Sequence, residues 1–311
     1  MALPYQWQWR IEKWKAAMRG LFGGGDKQRR PQLCPSCGSL VGINATRCHQ
    51  CGTNLTFSMA AATRSLSGIF AGPAPVTTVL LVANLLMFGV EFMASSAQGG
   101  GGGLSILWGM GGDAAYRLGL SGPYPIYVQH QWYRLVTAMF LHGGLIHIGF
   151  NMMALLQLGP ALEELYDSAR YLFLYVVTGV FGFLVSSFPY APWRGSYSLG
   201  ASGALLGLIG ALLAITTKRG GAYMRDLRSR LISSVIMLFA LGLFGVGIDN
   251  KAHFGGLALG FFLGKIFPDR QPVTPRERQV AQALGWLAGL AVIACFVLMI
   301  LHYRDPLPGQ A

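Results

Sequence analysis

Two polar residues in a largely apolar sequence are of the types needed for nucleophilic catalysis. Ser202 lies in the segment Gly-Ala-Ser-Gly, and His253 lies in Ala-His-Phe-Gly-Gly. A serine hydroxyl is a weak nucleophile until a neighbouring base accepts its proton, and a neutral imidazole is such a base. Asp249 precedes the histidine by four residues and is expected to cap a helix rather than orient the ring. We therefore predict a Ser202–His253 dyad.

A third polar segment, His-Gly-Gly-Leu-Ile-His-Ile-Gly-Phe-Asn, supplies hydrogen-bond donors. It begins with His142, and its His147 and Asn151 are four residues apart, so the latter two project from one face of a helix toward a common point. Attack on a carbonyl places negative charge on its oxygen, and losing one fixed donor to that oxygen typically costs about 2.7 to 4 kcal/mol. We predict that His147, Asn151 and the backbone N–H of Ser202, at a helix N-terminus, are these donors.

The elements that must position these residues are apolar stretches of membrane-spanning length. Of the 311 residues, 53% are hydrophobic and 12% charged, against roughly 25% charged in soluble domains. Stretches of about 16 to 22 residues with almost no charge can cross roughly 30 Å of hydrocarbon as helices. We predict an all-α polytopic membrane protein with spans near 76–94, 143–162, 170–188, 200–217, 231–247, 252–267 and 281–301.

The distribution of positive charge predicts the orientation of these spans. Of the 24 Lys and Arg residues, 19 fall on the side of the N-terminus and five on the other. This asymmetry indicates a cytoplasmic N-terminus and leaves no basic surplus that requires a nucleic-acid partner. No secretory signal is expected at the N-terminus. In this orientation the second, fourth and sixth spans all begin outside, so the three polar segments share one depth just below the outer surface.

Small residues recur along the fourth and sixth spans at a spacing that lets helix backbones approach closely. The two sets are Gly203, Gly207, Gly210 and Ala214, and Ala252, Gly256, Gly260 and Gly264. Close packing of these spans would bring Ser202 within reach of His253. The alternative is helix packing alone, with the serine a small interface residue and the histidine a satisfied one. Four polar residues at one depth favour a site.

Four cysteines near the N-terminus have the spacing of a zinc ribbon: Cys34, Cys37, Cys48 and Cys51. Two Cys-x-x-Cys-Gly turns can close four thiolates around Zn²⁺. Two disulfides are the alternative, disfavoured in the reducing cytoplasm that the charge distribution predicts. So small a module would be folded largely by its metal and is expected to be structural, or to dock an unknown cytoplasmic partner.

The predicted division of the chain follows from these features. It comprises a basic amphipathic segment (1–30), a four-cysteine zinc-ribbon-like module (31–58), a linker (59–75), a helical core (76–267), a cytoplasmic linker (268–280), a seventh transmembrane helix (281–301) and a tail (302–311). The first segment suits either membrane lipids or packing on the neighbouring domain. The long outer segment 95–134 is expected to bury partly in the outer leaflet.

The three polar segments have the patterns HxxxxHxxxN, GASG and AHFGG, and they are preceded by QWYRLVTAMFLH. Together these motifs resemble the rhomboid intramembrane serine proteases, from about Trp132 to Lys265. The resemblance implies a six-helix core plus an added seventh helix, with Ser202 as nucleophile and His253 as general base. It implies His147, Asn151 and the Ser202 amide as oxyanion donors, no cofactor for catalysis, and transmembrane proteins as substrates. A bacterial plasma membrane is the expected location.

The sequence departs from the family pattern in three places. Leu206 stands where many members have an aromatic residue stacked beneath the histidine, which could leave His253 less firmly held. Asp167 stands where a glycine is usual, although Glu163 matches the family glutamate, and Tyr133 splits the usual Trp-Arg pair of the outer loop. A catalytically inactive rhomboid-like binder or escort of transmembrane helices is the alternative function, but such relatives lack the serine or histidine that this chain has.

Overall fold

The computed structural model describes residues 32–34, 39–42, 45–52, 55, 74–98, 105–109, 112–189, 195–244, 247–305 and 307. The predicted amphipathic segment 1–30, nearly all of the linker 59–75 and the ligand Cys37 lie outside these residues. Within the N-terminal module, strands β1 (Gln32–Leu33) and β2 (Leu40–Val41) pair antiparallel. The side chain of Val41 is buried in a small cluster with three of the cysteines.

Helices form the rest of the described chain. They are α1 (Pro75–Ala97), α2 (Ser105–Trp108), α3 (Gly112–Arg117), α4 (Arg134–Thr137), α5 (Leu145–Tyr166), α6 (Ser168–Ser187), α7 (Ser202–Lys218), α8 (Ala222–Leu243), α9 (Asn250–Ile266) and α10 (Pro275–Leu301), with a π-helical turn at Tyr124–Val128 and a 3-10 turn at Ala138–Phe140. A long helix occupies each of the seven predicted spans. By length and composition, α1, α5, α6 and α10 can cross a membrane, and α7 is a shorter apolar helix. The number of spans stays a prediction.

Local signals explain where several of these helices begin. Pro75 opens α1, where a missing N–H costs nothing. The Thr274 hydroxyl and the Glu277 carboxylate form a reciprocal capping box at the start of α10. The Asp249 carboxylate accepts the N–H groups of Lys251 and Ala252, each at 3.1 Å, so its predicted capping of α9 is confirmed.

Helix α8 differs from the predicted span 231–247 because it begins earlier and ends earlier. Its first turns carry charged residues, and an ion pair of 2.9 Å joins Arg230 to Asp226 one turn away. Such a pair stabilises helix outside the apolar span. Leu231 is its one buried residue among those described, so α8 is loosely attached to the bundle.

Close contact between α7 and α9 forms the centre of the fold. An added Cβ at Gly256 would overlap the carbonyl oxygen of Gly203, and one at Gly260 would overlap that of Gly207. The helix backbones therefore touch, as the small-residue spacing predicts. Helix α6 packs against both helices and buries Tyr171 and Tyr175. Helix α10 also packs against α6.

The end of α5 and the starts of α1 and α6 meet at one buried carboxylate. Glu163, near the end of α5, accepts hydrogen bonds from the backbone N–H groups of Val76 and Thr77 at 2.9 and 2.8 Å. The hydroxyls of Thr77 and Ser168 donate to it at 2.9 and 2.6 Å. These bonds satisfy free N–H groups at the start of α1 and join α1, α5 and α6.

Asp167 joins α5 to α6 with a backbone φ of +74°, which explains why a glycine is usual there. With ψ at 161°, this conformation is nearly restricted to glycine and costs an L-residue about 1 to 3 kcal/mol. The carboxylate offsets part of that cost because it accepts the N–H groups of Ala169 and Arg170 at 2.7 and 2.9 Å. Capping thus compensates for strain at this junction.

The strain at Asp167 can be measured by comparing two variants. Asp167→Ala and Asp167→Gly both lose the cap and the ion pair with Arg170, but only glycine relieves the backbone. We expect the glycine variant to have a free energy of unfolding about 1 kcal/mol or more above that of the alanine variant. Denaturant unfolding in detergent micelles measures the difference, with Asp167→Asn, which keeps an acceptor, as the control. An alanine variant as stable as the glycine variant would contradict the strain.

Candidate active site

The hydroxyl of Ser202 and the imidazole of His253 are in direct contact. Ser202 is the first residue of α7 and His253 lies in the first turn of α9, so the touching glycine faces bring both to one end of the helix pair. The Ser202 Oγ lies 2.7 Å from His253 Nε2. A serine and an unprotonated imidazole nitrogen at this distance can exchange a proton. The predicted proximity is confirmed, and the catalytic roles stay predictions.

Asp249 does not act on the histidine ring through a hydrogen bond. Besides capping α9, its carboxylate accepts the hydroxyl of Ser186. Among the described residues, Nδ1 of His253 has no hydrogen-bond partner. When Nε2 accepts the serine proton, Nδ1 must carry the proton of the neutral ring. This geometry agrees with a dyad rather than a triad.

His147 lies beside the serine, across Gly200. An added Cβ at Gly200 would come within 2.7 and 2.8 Å of the ring atoms Cε1 and Nε2 of His147, and it would lie 3.9 Å from Ser202 Oγ. Gly200 also has a φ of +121°, so glycine is required there by conformation as well as by space. The Gly143 N–H donates to Nδ1 of His147 at 3.3 Å, which puts the proton of a neutral ring on Nε2. That nitrogen is one of the two ring atoms next to Gly200.

The sequence predicts that the donors of Asn151 and His147 aim at a common point. The structure shows a different arrangement for Asn151. Its Nδ2 donates to the His147 carbonyl oxygen within α5 at 2.8 Å. An amide nitrogen carries two hydrogens, so one remains for another acceptor. The spacing of four residues correctly puts Asn151 on the face of His147, but it could not reveal that the side chain folds back onto its own helix.

Sequence reasoning missed a buried carboxylate beside these residues. Glu91, in α1, is fully buried and accepts the backbone N–H of His142 at 2.9 Å. The ring of His142 packs edge-on against that of His147, with centroids 5.1 Å apart. The available signal was a lone acidic residue in the first apolar stretch, seven residues after the buried Asn84.

The aromatic neighbour of His253 comes from α8. Leu206 is buried one turn after the serine, while the ring of Phe239 approaches the imidazole edge-on, with centroids 6.3 Å apart. The Asn250 amide donates to the carbonyl oxygen of Phe239 at 2.9 Å and so joins α8 to the start of α9. Phe239 and Asn250 thus connect α8 to the start of α9, where His253 lies.

A buried arginine holds together the outer segment next to the site. The Arg134 guanidinium donates to Gln131 Oε1 at 2.6 Å and to the carbonyl oxygens of Tyr116 and Leu120 at 2.6 and 3.1 Å. Trp132 is exposed, and its ring meets that of Tyr127 at 5.4 Å. Of the Trp132 and Arg134 pair that Tyr133 separates, the arginine therefore anchors the segment and the tryptophan remains at the surface.

Three of the four predicted zinc ligands gather in the N-terminal module. The sulfur atoms of Cys34, Cys48 and Cys51 lie within 4.8 Å of one another, and all three residues are buried. Cys34 and Cys51 have sulfurs 3.4 Å apart, too far for a disulfide and near the spacing of about 3.8 Å around tetrahedral zinc. Burial opposes ionisation of Cys48, but hydrogen bonds from the backbone of Cys51 and Gln50 help to lower its thiol pKa to about 6. The donor set fits Zn²⁺, while Cys37 lies outside the described residues.

These features define a class of protein: a helical bundle with apolar surfaces and a serine–histidine pair at one end of two tightly packed helices. The family model of the rhomboid domain matches residues 129–270, which contain Ser202, His253, His147 and Asn151. Residues 129–270 therefore form a domain of the rhomboid family within an integral membrane protein.

Relatives of known name agree with this assignment. The chain is 38% identical over 134 residues to Rhomboid protease GluP of Bacillus subtilis, covering 43% of this chain and 26% of that protein. It is 36% identical over 154 residues to Rhomboid-type serine protease 2 of Emericella nidulans, covering 48% and 29%. Over 133 residues it is 31% identical to Putative rhomboid protease YdcA of Bacillus subtilis, covering 43% and 66%. The chain thus spans less than a third of the first two.

The contribution of Phe239 to the position of His253 can be measured through the rate at which a fluorophosphonate labels Ser202. An edge-on ring pair contributes about 0.5 to 1.5 kcal/mol, so Phe239→Ala should slow fluorophosphonate labelling of Ser202 about two- to tenfold as His253 loosens. Adding Leu206→Phe should restore part of the rate because it returns an aromatic ring from α7. Ile236→Ala, an exposed position of α8, is the matched control. Labelling of Phe239→Ala at the wild-type rate would contradict this role.

Proposed function

We propose that this chain is an intramembrane serine endopeptidase that hydrolyses peptide bonds in or near transmembrane segments of other proteins. The observation that carries the proposal is the 2.7 Å contact between Ser202 Oγ and His253 Nε2, with His147 beside it. Relatives named as rhomboid proteases support the same reaction. A reactive polar pair inside a membrane bundle is costly to maintain, which favours a functional role over packing alone.

The proposed reaction proceeds in two halves. Ser202 Oγ attacks the substrate carbonyl carbon while Nε2 of His253 takes the hydroxyl proton. The oxyanion accepts hydrogen bonds from Nε2–H of His147, the Ser202 amide and the remaining hydrogen of the Asn151 amide. Collapse breaks the peptide bond, and His253 protonates the leaving amine. Water, deprotonated by the same histidine, then releases the acyl group.

Substrates are proposed to enter from the side of the bundle. A peptide must leave its helix before a carbonyl can be attacked, so substrates should carry helix-weakening Gly, Ala, Ser or Pro near the cut. Helix α8 is loosely packed, and its Phe239 touches His253, so displacement of α8 would open the serine to the bilayer. The location of the cut is proposed to be near the outer surface, with the N-terminus cytoplasmic and a bacterial plasma membrane as the setting.

Purified protein in lipid bilayers should cleave a model transmembrane substrate. Removal of a serine nucleophile typically costs about 10⁶-fold in turnover, so Ser202→Ala should leave no measurable cleavage, and His253→Ala likewise. Ser233→Ala, at an exposed position of α8, is the control and should cleave normally. If Ser202→Ala cleaves as well as wild type, the dyad is wrong. Wild-type protein that captures the substrate uncleaved, and whose Ser202 never reacts with a fluorophosphonate, would favour the escort function.

The cysteine module is proposed to hold one structural Zn²⁺ through Cys34, Cys37, Cys48 and Cys51. The buried sulfurs of three of these residues support this proposal. Thiolates bind zinc without a redox step, and a closed set of four leaves no position for substrate. The module therefore acts as a folded docking surface for a cytoplasmic partner, apart from catalysis.

Elemental analysis of the purified chain should find about one zinc per molecule. Cys48→Ser should abolish zinc binding and expose the module to proteolysis, because the metal supplies most of its folding free energy. Cys295→Ser, which changes a cysteine of α10, is the matched control and should retain the metal. A chain whose four module cysteines are instead joined as disulfides in the cell would contradict the site.

A further inference from the structure

The carboxyl group of Glu91 is fully buried in the first apolar helix, and the proposed reaction does not use it. An ionisable group at such a position is costly unless it has a task or a partner. In the part of the chain that the structure describes, no cation pairs with it. Its one hydrogen bond is the 2.9 Å bond that Oε2 accepts from the backbone N–H of His142, and its Oε1 has none. The Glu91 carboxyl thus binds the backbone at His142, just before the start of α5.

The backbone N–H that Glu91 accepts is followed in the chain by the N–H that contacts His147, the histidine beside the serine. The next N–H along, that of Gly143, donates to Nδ1 of His147 at 3.3 Å. This bond selects the ring form with its proton on Nε2, an atom next to Gly200, which lies two residues before Ser202. A shift of the 142–143 backbone would move this N–H away from the ring. The ring could then turn or take the other proton position.

The turn between His142 and α5 requires an external anchor. Gly143 and Gly144 follow the histidine and have no side chains to pack. Gly144 lies so close to the carbonyl of Leu107 in α2 that an added Cβ would come within 2.6 Å of that oxygen, so the turn is confined on that side by backbone alone. On the other side, the Glu91 carboxyl is the polar group that holds it.

We infer that Glu91 is a positioning residue: by accepting the His142 N–H it holds the glycine turn so that His147 presents Nε2–H to the substrate oxyanion. The inference rests on the proposed protease function and adds to it a residue from a helix outside the three motifs. A carboxyl that merely supported the fold would act on stability alone. A positioning carboxyl acts on turnover through His147.

The first test compares three substitutions in the full chain, assayed in bilayers with a model transmembrane substrate. Glu91→Met preserves length but removes the acceptor, and we expect turnover to fall about ten- to a hundredfold with KM within about twofold, as for a catalytic group displaced by about 1 Å. Glu91→Gln keeps an acceptor oxygen and should recover most of the activity. Glu91→Asp keeps a carboxyl group but is one methylene too short, and it should lose turnover like the methionine variant.

The second test asks whether the effect passes through His147. In a His147→Ala background, Glu91→Met should lower turnover less than about twofold further, because residues that act through one group are not additive. Asn84→Leu is the matched control: it removes a buried polar group of the same helix about 10 Å away. Its effect, whatever its size, should be the same in both backgrounds.

Two results would overturn the inference. One is a Glu91→Met loss of full size in the His147→Ala background, which would mean independent action. The other is wild-type turnover in both Glu91→Met and Glu91→Asp. If the methionine variant does not fold, the aspartate and glutamine variants still test the inference. Equal turnover in these two variants would contradict a positioning role for Glu91. Failure of the proposed function itself is distinguishable, because wild-type protein would then not cleave.

Discussion

The backbone contact between α7 and α9 is the constraint on which the site depends. Each helix presents glycines to the other, and an added methyl group at Gly256 or Gly260 would overlap a carbonyl oxygen of the opposite helix. In lipid, where the hydrophobic effect does not drive helices together, such close packing is a main source of attraction. It also sets the separation of the first turns, where Ser202 and His253 meet at 2.7 Å. The same glycines that stabilise the pair therefore align the Ser202 hydroxyl with the His253 imidazole.

Around this contact, three buried or partly buried polar groups each hold an element in place. Glu163 joins the end of α5 to the starts of α1 and α6, Arg134 binds carbonyl oxygens of the segment before α4, and Asp249 caps the helix that carries the histidine. A medium of low polarity strengthens such bonds and makes their loss expensive. The most extensively packed part of the described chain is the group α6, α7 and α9, while α8 has a single buried residue. Phe239 places an aromatic ring of α8 next to the imidazole, so under the proposed function a displacement of α8 would affect both substrate access and the reactivity of the site.

The features carried by short sequence patterns could be predicted. Glycine spacing predicted the α7–α9 contact, and motif position predicted Ser202 and His253 at the starts of their helices. The features that depend on side chains from distant segments could not be predicted: Glu91 reaches His142 across 51 residues, and an aromatic ring next to His253 comes from Phe239 of α8 although the position one turn after the serine is Leu206. Asn151 was put on the correct face, but its amide turns back to its own helix. Spacing encodes which face a residue occupies, whereas rotamers and contacts between segments depend on the packed structure. The fourth zinc ligand, Cys37, and the domain boundaries stay predictions.

The most direct test of the central claim is a crystal structure of the protein after reaction with a fluorophosphonate. The account predicts a covalent bond from phosphorus to Ser202 Oγ, with the phosphoryl oxygen within hydrogen-bond distance, about 3 Å, of both His147 Nε2 and the Ser202 backbone nitrogen. It also predicts that His253 remains beside the adduct, in a cavity that solvent reaches from outside. A structure in which the hydroxyl is unmodified and the two side chains point away from each other into lipid would contradict it.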